Sequence, residues 1–364
     1  MPQVILISQV PLPYSKIGSW TTLYDNYLSN HHEIDHIICP KPERLYSGIQ
    51  YQFVANSFSM KFQKRISKNP YLGYLKALEK ILEKEDKFII QIIDNFGIVK
   101  PIIDFLERKG KRSQCYIQFF YHGFSPFYEN FLGRWFFENI NEMVVLTNDS
   151  YQAHKNYYTV LPIKFSVLHN GVDTSKFHKI PDSEKIALKK ELKISNKKVF
   201  VWCSQDRPKK GLDLILEVWK RIYNHEKDII LLIIGADREI KIDGVSFLGK
   251  IPNNDLPKYY QIADCYLFPT LWQEGFGLSL IEALNCGCYC IASANGGVSE
   301  VLQYGKLGKL IENPNFVQEW IDAIELFLNQ NATNNFAVPQ DLYSMQNWNV
   351  GMNTIIQNAK KSLS

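Results

Sequence analysis

No run of about 18 apolar residues occurs anywhere in the sequence, so a helix of membrane-spanning length is not expected. The opening "MPQVILISQV" has no basic start, and Ser8 and Gln9 interrupt its apolar run. It reads as a buried strand rather than a cleavable signal. That first run is not followed by G-x-G-x-x-G, which disfavours a dehydrogenase. An excess of one charge is also missing. With 41 Lys and Arg against 37 Asp and Glu, the net +4 suits anionic substrates or a membrane surface but does not argue for nucleic acid. There is no internal repeat and no low-complexity tract.

The seven cysteines lie mostly in apolar segments and suit reduced core thiols of a cytoplasmic protein. Cys286, Cys288 and Cys290 alternate, but no histidine cluster stands near them to complete a zinc site, so metal is not expected there.

What is present is ordinary globular composition, 46% hydrophobic and 21% charged, on a chain long enough for two domains. Short β-rich runs alternate with longer helical patterns, the signature of a parallel sheet with helices on both faces. Strands are predicted at 4–8, 36–39, 88–93, 114–121, 143–147 and 165–169, with helices at 20–28, 71–83 and 98–109. The pattern then restarts, with strands at 199–203, 229–234, 245–248, 265–268 and 289–292. Helices are predicted at 212–225, 255–262, 278–285 and 315–329. This implies an α/β chain of two Rossmann-like, doubly wound domains, 1–170 and 171–344, with "HNGVDTSKFHKIPDSEK" crossing between them. The polar "NATNNFAVPQ" breaks structure. A last apolar-striped helix over 345–364 has no following strand and is expected to pack back on the first domain.

Open α/β sheets bind ligands beyond the carboxyl ends of their strands. After the predicted strand 265–268 comes "PTLWQEGFG" and then a helix. A helix N-terminus offers unpaired amides and partial positive charge to a phosphate. Gly275 and Gly277 let the backbone approach a ligand closely. Glu274 precedes the turn and Glu282 lies about one helical turn inside, a position from which it can accept hydrogen bonds from hydroxyls. A capped, half-buried amphipathic helix is the plainer reading of the same residues. In "VWCSQDRPKKGLDLI", Arg207, Lys209 and Lys210 follow the first strand of the second domain, where charged donors suit a diphosphate. A solvated basic loop is the alternative. In the first domain His122 follows an apolar strand, as a structural residue or as a group that bonds a substrate hydroxyl and acts near neutral pH. Gly18 in "PYSKIGSW" is either a plain turn or a point of close backbone approach.

Taken together, these residues resemble the retaining nucleotide-sugar glycosyltransferases of family 4, which have the GT-B fold. "EGFGLSLIEALNCG" carries the family's E-x7-E pattern in Glu274 and Glu282. "NGVD" with Phe177 is similar to its crossover, "KKGLDLIL" to its Lys-Gly donor-phosphate motif, and "GGVSEVL" to its run after a late strand. "YSMQNW" is similar to the start of its terminal helix. The likeness is dense over 165–302 and diffuse before 114. It implies GT-B architecture facing a central cleft, with an acceptor-binding first domain and a donor-binding second one. Lys210 is implied to hold the donor diphosphate and Glu282 the ribose. Glu274, Gly275, Phe276 and Gly277 are implied to face the sugar and adjacent phosphate, with Leu278 also donor-binding. The loop at Lys250 and Ile251 is implied to contact the base through its backbone, and His122 to lie near the sugar's C6 side.

Two departures stand out. Gln205 occupies the place of the family's arginine, with Arg207 two residues later, and the first loop lacks the usual Gly-Gly pair, leaving Gly18 as its equivalent. No two aspartates lie two apart, so the Asp-x-Asp metal motif of the other large glycosyltransferase fold is absent and no metal or other cofactor is expected. The implied partners are a nucleotide-sugar donor, UDP before GDP-mannose, and a glycan or lipid-linked acceptor in bacterial cell-envelope polysaccharide or lipopolysaccharide synthesis. Lys61, Lys64, Arg65, Lys68 and Lys76, mixed with Phe62, Tyr71, Leu72 and Tyr74, form either a surface for the inner face of an anionic membrane or a solvated helix face. A non-catalytic nucleotide-sugar-binding scaffold and a GT-B epimerase are the competing readings.

Overall fold

The computed structural model describes residues 1–15, 18–54, 69–83, 87–127, 130–329, 338–339 and 341–363. The chain forms two compact units. One comprises Met1–Leu146, Ser150–Asn170 and Gln346–Ser364; the other comprises Thr147–Asp149 and Gly171–Met345.

The first unit is built on β1 (Gln3–Ile7), β2 (His36–Cys39), β3 (Gln50–Phe53), β4 (Phe88–Ile93), β5 (Cys115–Tyr121), β6 (Glu142–Val145) and β7 (Lys164–Val167). Their spatial order is β3-β2-β1-β4-β5-β6-β7, with every pairing parallel. Strands covered on both faces are mostly apolar, and β1, β2 and β4 are buried almost end to end. The helices between them are α1 (Ser19–Ser29), α2 (Leu72–Leu82), α3 (Phe96–Arg108), α4 (Asn130–Asn139) and α5 (Asn148–Tyr157).

A polar ladder crosses this sheet in register: Gln91 pairs with Gln118, and Gln118 with Glu142. Buried polar groups need hydrogen-bond partners. Gln91 Nε2 donates to Gln118 Oε1 (3.0 Å), Gln118 Nε2 to Glu142 Oε2 (2.8 Å) and Ser166 Oγ to Glu142 Oε1 (2.5 Å).

The second unit contains α6 (Asp182–Glu191), β8 (Lys198–Cys203), α7 (Leu212–Tyr223), β9 (Ile229–Ile234), β10 (Val245–Phe247), α8 (Leu256–Ile262), β11 (Cys265–Phe268) and α9 (Leu278–Asn285). It continues through β12 (Tyr289–Ser293), α10 (Val298–Val301), β13 (Lys309–Ile311) and α11 (Val317–Asn329). The order β10-β9-β8-β11-β12-β13 is again wholly parallel. Trp202, Trp219 and Trp320 are fully buried in its core.

The last helix, α12 (Met345–Leu363), covers aromatic residues of α1. Trp348 meets Tyr24 and Tyr27 edge-on (5.5 and 5.7 Å), and Lys360 pairs with Glu33 at 2.6 Å.

Several elements depart from the sequence expectations. β3 and β13 were not expected, because "QYQF" is a half-exposed edge and "KLI" is only three residues long. The crossover segment was read as continuous connection, yet α6 begins inside it at Asp182. Among the described residues α6 buries none of its own, so it carries no apolar stripe to read. α5 escaped for the same reason, burying only Ser150 and His154. α4 and α10 were likewise not expected. Lys61, Phe62, Lys64, Arg65 and Lys68 of the basic segment, and most of "NATNNFAVPQ", lie outside the described residues. No helix among the described residues is long and apolar enough to cross a membrane.

Candidate functional site

In both sheets the chain winds outward in one direction and then returns to the far side of its first strand. The switch falls between β1 and β4 in the first unit and between β8 and β11 in the second. Ligands of open α/β sheets bind beyond the carboxyl ends of the strands at such a point. The loops leaving β8 and β11 are those that carry Lys210 and Glu274.

These two loops are locked together by backbone. Pro208–Lys210 forms a single 3-10 turn ended by Gly211 at φ +71°. A Cβ on Gly211 would stand 1.9 Å from the Pro269 carbonyl oxygen, so the close approach of the loops requires glycine there. Leu271 N–H then donates to the Lys209 carbonyl (2.8 Å), and the Trp202 indole to the Lys210 carbonyl (3.2 Å). So held, Lys210 Nζ meets Glu274 Oε2 at 2.5 Å, each side chain less than a quarter exposed.

Beyond Glu274, Gly277 caps α9 at φ +87°, so that the helix opens on a glycine-lined turn. The glycines at 296 and 297 serve the same approach from the next loop. Gly297 N–H donates to the Glu274 carbonyl at 2.8 Å, and a Cβ on Gly296 would lie 2.3 Å from that oxygen. The Phe276 ring is 1% exposed and packs edge-on against Tyr343 (5.2 Å, 87°). Gly275 is buried and Leu278 half-buried.

Glu282 lies one turn into α9 and is half-buried. Burial pushes its carboxyl up to about 7, against the opposing pull of Lys176 and the Tyr260 hydroxyl. Gln205 and Arg207 are exposed. The cation that braces their loop is Arg238, which the sequence reading did not single out. Its guanidinium donates to Asp206 (2.8 and 2.6 Å) and also bonds Asp213. Lys250 is exposed and Ile251 half-buried in the loop after β10.

In the first unit His122 stands just past β5 and is held by a residue that the sequence reading missed. Asp94, immediately after β4, accepts from the His122 backbone N–H (2.8 Å) and bonds its ring Nδ1 (3.0 Å). Asp94 adopts φ +48°, a conformation that a non-glycine residue takes only at a cost, so the geometry is over-determined by its surroundings. The readable signal was an Asp-Asn-Phe-Gly turn directly after a strand that is apolar but for Gln91. Asp94, Asn95, Phe96, His122 and Phe127 line a cleft of ≈650 Å³. Gly18 starts α1, and a Cβ there would meet the Thr21 hydroxyl at 2.4 Å. Within the second unit, Glu300 accepts from Asn148 Nδ2 and Asp149 N–H, both at 2.9 Å.

Cys286, Cys288 and Cys290 are free and buried, and burial pushes their thiols above the ordinary range.

Two parallel-sheet, Rossmann-like units of this kind define the GT-B fold. A structure of Anabaena HepE, in complex with UDP and glucose, superposes with a TM-score of 0.74 over 98% of this chain and 100% of that one, at 14% identity. Residues 183–338 match the family of glycosyl transferases group 1. Spore coat protein SA of Bacillus subtilis is 23% identical over 51% of this chain and 55% of its own length. A GDP-mannose-dependent alpha-(1-6)-phosphatidylinositol monomannoside mannosyltransferase of Mycolicibacterium smegmatis is 26% identical over 39% of this chain and 41% of its own. The chain thus spans about half the length of the curated relatives it matches.

Proposed function

We propose that this protein transfers a sugar, with retention of anomeric configuration, from a nucleoside diphosphate to a hydroxyl of a glycan or lipid-linked acceptor. The observation that carries the reading is the Lys210–Glu274 pair, set at 2.5 Å beside the glycine-capped start of α9. A lysine paired with a carboxylate beside free helix amides is poised to exchange that partner for a diphosphate, leaving the carboxylate for the sugar hydroxyls.

Negative charge grows on the leaving diphosphate as the glycosidic bond breaks. Lys210, with Arg207 and the Gly275–Gly277 amides, stabilises it more in the transition state than in the ground state. The departing phosphate takes the acceptor proton, so Glu274 positions the sugar and no enzyme nucleophile is needed. Glu282 accepts from the ribose hydroxyls, and the loop at Lys250 and Ile251 meets the base. The first unit supplies the acceptor side, with His122 oriented by Asp94.

UDP is the favoured carrier and GDP-mannose the second. The UDP complex of HepE and the mannosyltransferase match support one each. Cell-envelope polysaccharide or lipopolysaccharide synthesis at the inner face of a membrane is the proposed setting. A thermal-shift screen with UDP-, GDP- and ADP-sugars tests donor binding. Ligand at a hundred times its Kd adds about 2.7 kcal/mol to the folded state. One nucleotide is expected to raise the melting temperature, and less so in Lys210→Ala and Glu282→Ala. No response to any of them would overturn the reading.

A further inference from the structure

A second pocket of the second unit lies at the opposite ends of the same strands. Lys198 opens β8 and Asp264 immediately precedes β11. Lys210 follows the other end of β8, roughly 20 Å away along a six-residue strand. The pocket has a volume of ≈670 Å³, a size common for small-molecule sites, and four lysines (179, 185, 189 and 198) line it together with two aspartates (182 and 264).

The charges do not cancel. Asp264 is shared by Lys185 (2.8 Å) and Lys189 (2.7 Å), so one carboxylate serves two ammonium groups. Lys198 has the Leu328 carbonyl (3.4 Å) and the Phe327 ring (5.1 Å) as partners, and no carboxylate among the described residues. Lys179 lies exposed at the rim, beside Gly287. Lys189 is held below the ordinary lysine range by burial, with repulsion from Lys185 and Lys198 adding to it and Asp264 opposing it. Crowded cations with surplus charge in a walled pocket favour an anion. Lysines unaccompanied by arginine act on it as point charges, which suits phosphate oxygens.

We propose that this pocket binds a small anion carrying two phosphate groups, at a site separate from the Lys210–Glu274 site. It holds whether or not the transferase reading does.

Calorimetric titration with pyrophosphate tests it, in a Lys210→Ala background so that the first site does not contribute. One binding event is expected, weakened about a hundredfold by adding Lys179→Met and Lys198→Met, since each charged contact removed is worth about a factor of ten. Those two changes leave both Asp264 pairs in place. Flotation with phosphatidylcholine vesicles, with and without phosphatidylinositol bisphosphate, then separates the sources. Selective co-flotation, lost in the double variant, identifies a lipid headgroup; its absence alongside pyrophosphate binding identifies a soluble ligand. No pyrophosphate binding, or binding unchanged by the two substitutions, overturns the proposal.

Discussion

Glu282→Gln replaces a carboxyl that burial holds near pH 7 with a neutral side chain of the same shape. Because the folded-state value is raised from 4.5 to about 7, the folded protein binds an extra proton between those limits. The stability linked to Glu282 is therefore complete below about 4.5 and is lost as pH rises through 7. At 1.36 kcal/mol per pH unit the full effect is at most about 3 kcal/mol, of which roughly 2.5 falls between pH 5 and pH 8. Glutamine has no charge to bury and removes that slope. For a unit of this size, 1 kcal/mol corresponds to roughly 2–4 °C in melting temperature. The variant is expected to gain on the parent by about 5–10 °C more at pH 8 than at pH 5, followed by calorimetry without nucleotide. A gap that stays constant across the two pH values would refute the reasoning and place an ordinary ionised carboxylate at this position.

Gly211→Ala forces an L-residue to φ +71° and drives its Cβ into the Pro269 carbonyl; urea unfolding is expected to show a loss of at least about 2 kcal/mol. Asp264→Ala strands Lys185 and Lys189 and removes the acceptor of the Val199 N–H (2.8 Å), with an expected cost of about 3 kcal/mol at pH 7. Burial alone raises the Asp264 carboxyl, but the two lysines outweigh it and hold it below the usual aspartate range. The parent therefore keeps this stability at neutral pH and loses it as pH falls through the lowered value, so the difference from Asp264→Ala narrows in acid. Asp94→Asn keeps a residue tolerant of φ +48° but weakens the hold on the His122 ring. A fall of about a hundredfold in kcat with donor KM unchanged is expected, and unchanged kcat would deny Asp94 its positioning role.

The parts of the fold legible in the sequence are those that bury a continuous apolar run. Ile229–Ile234 and Cys265–Phe268 follow from hydrophobicity alone, and Leu278–Asn285 from apolar residues at helical spacing around Glu282. α5 and α6 were illegible because they are polar helices that bury little or nothing, and β3 because it is an edge strand open to water. The candidate site divides on a similar line. Loops that need glycine to approach one another, at Gly211 and Gly277, announce themselves by those glycines. Arg238 acts through a partner 32 residues away, and the turn that carries Asp94, though visible, does not point to His122, 28 residues on, as its partner. Phe276 reads as part of an exposed glycine turn, and only tertiary packing against Tyr343 buries its ring.

The central claim is that Lys210 and Glu274 form the donor end of a sugar-transfer site. Its most direct test is release of nucleoside diphosphate from UDP-glucose and GDP-mannose by the parent, Lys210→Ala and Glu274→Ala, each shown to be folded. Turnover is expected with at least one donor, falling about a hundredfold or more in either variant. No release from either donor, or release that survives both substitutions, would contradict it.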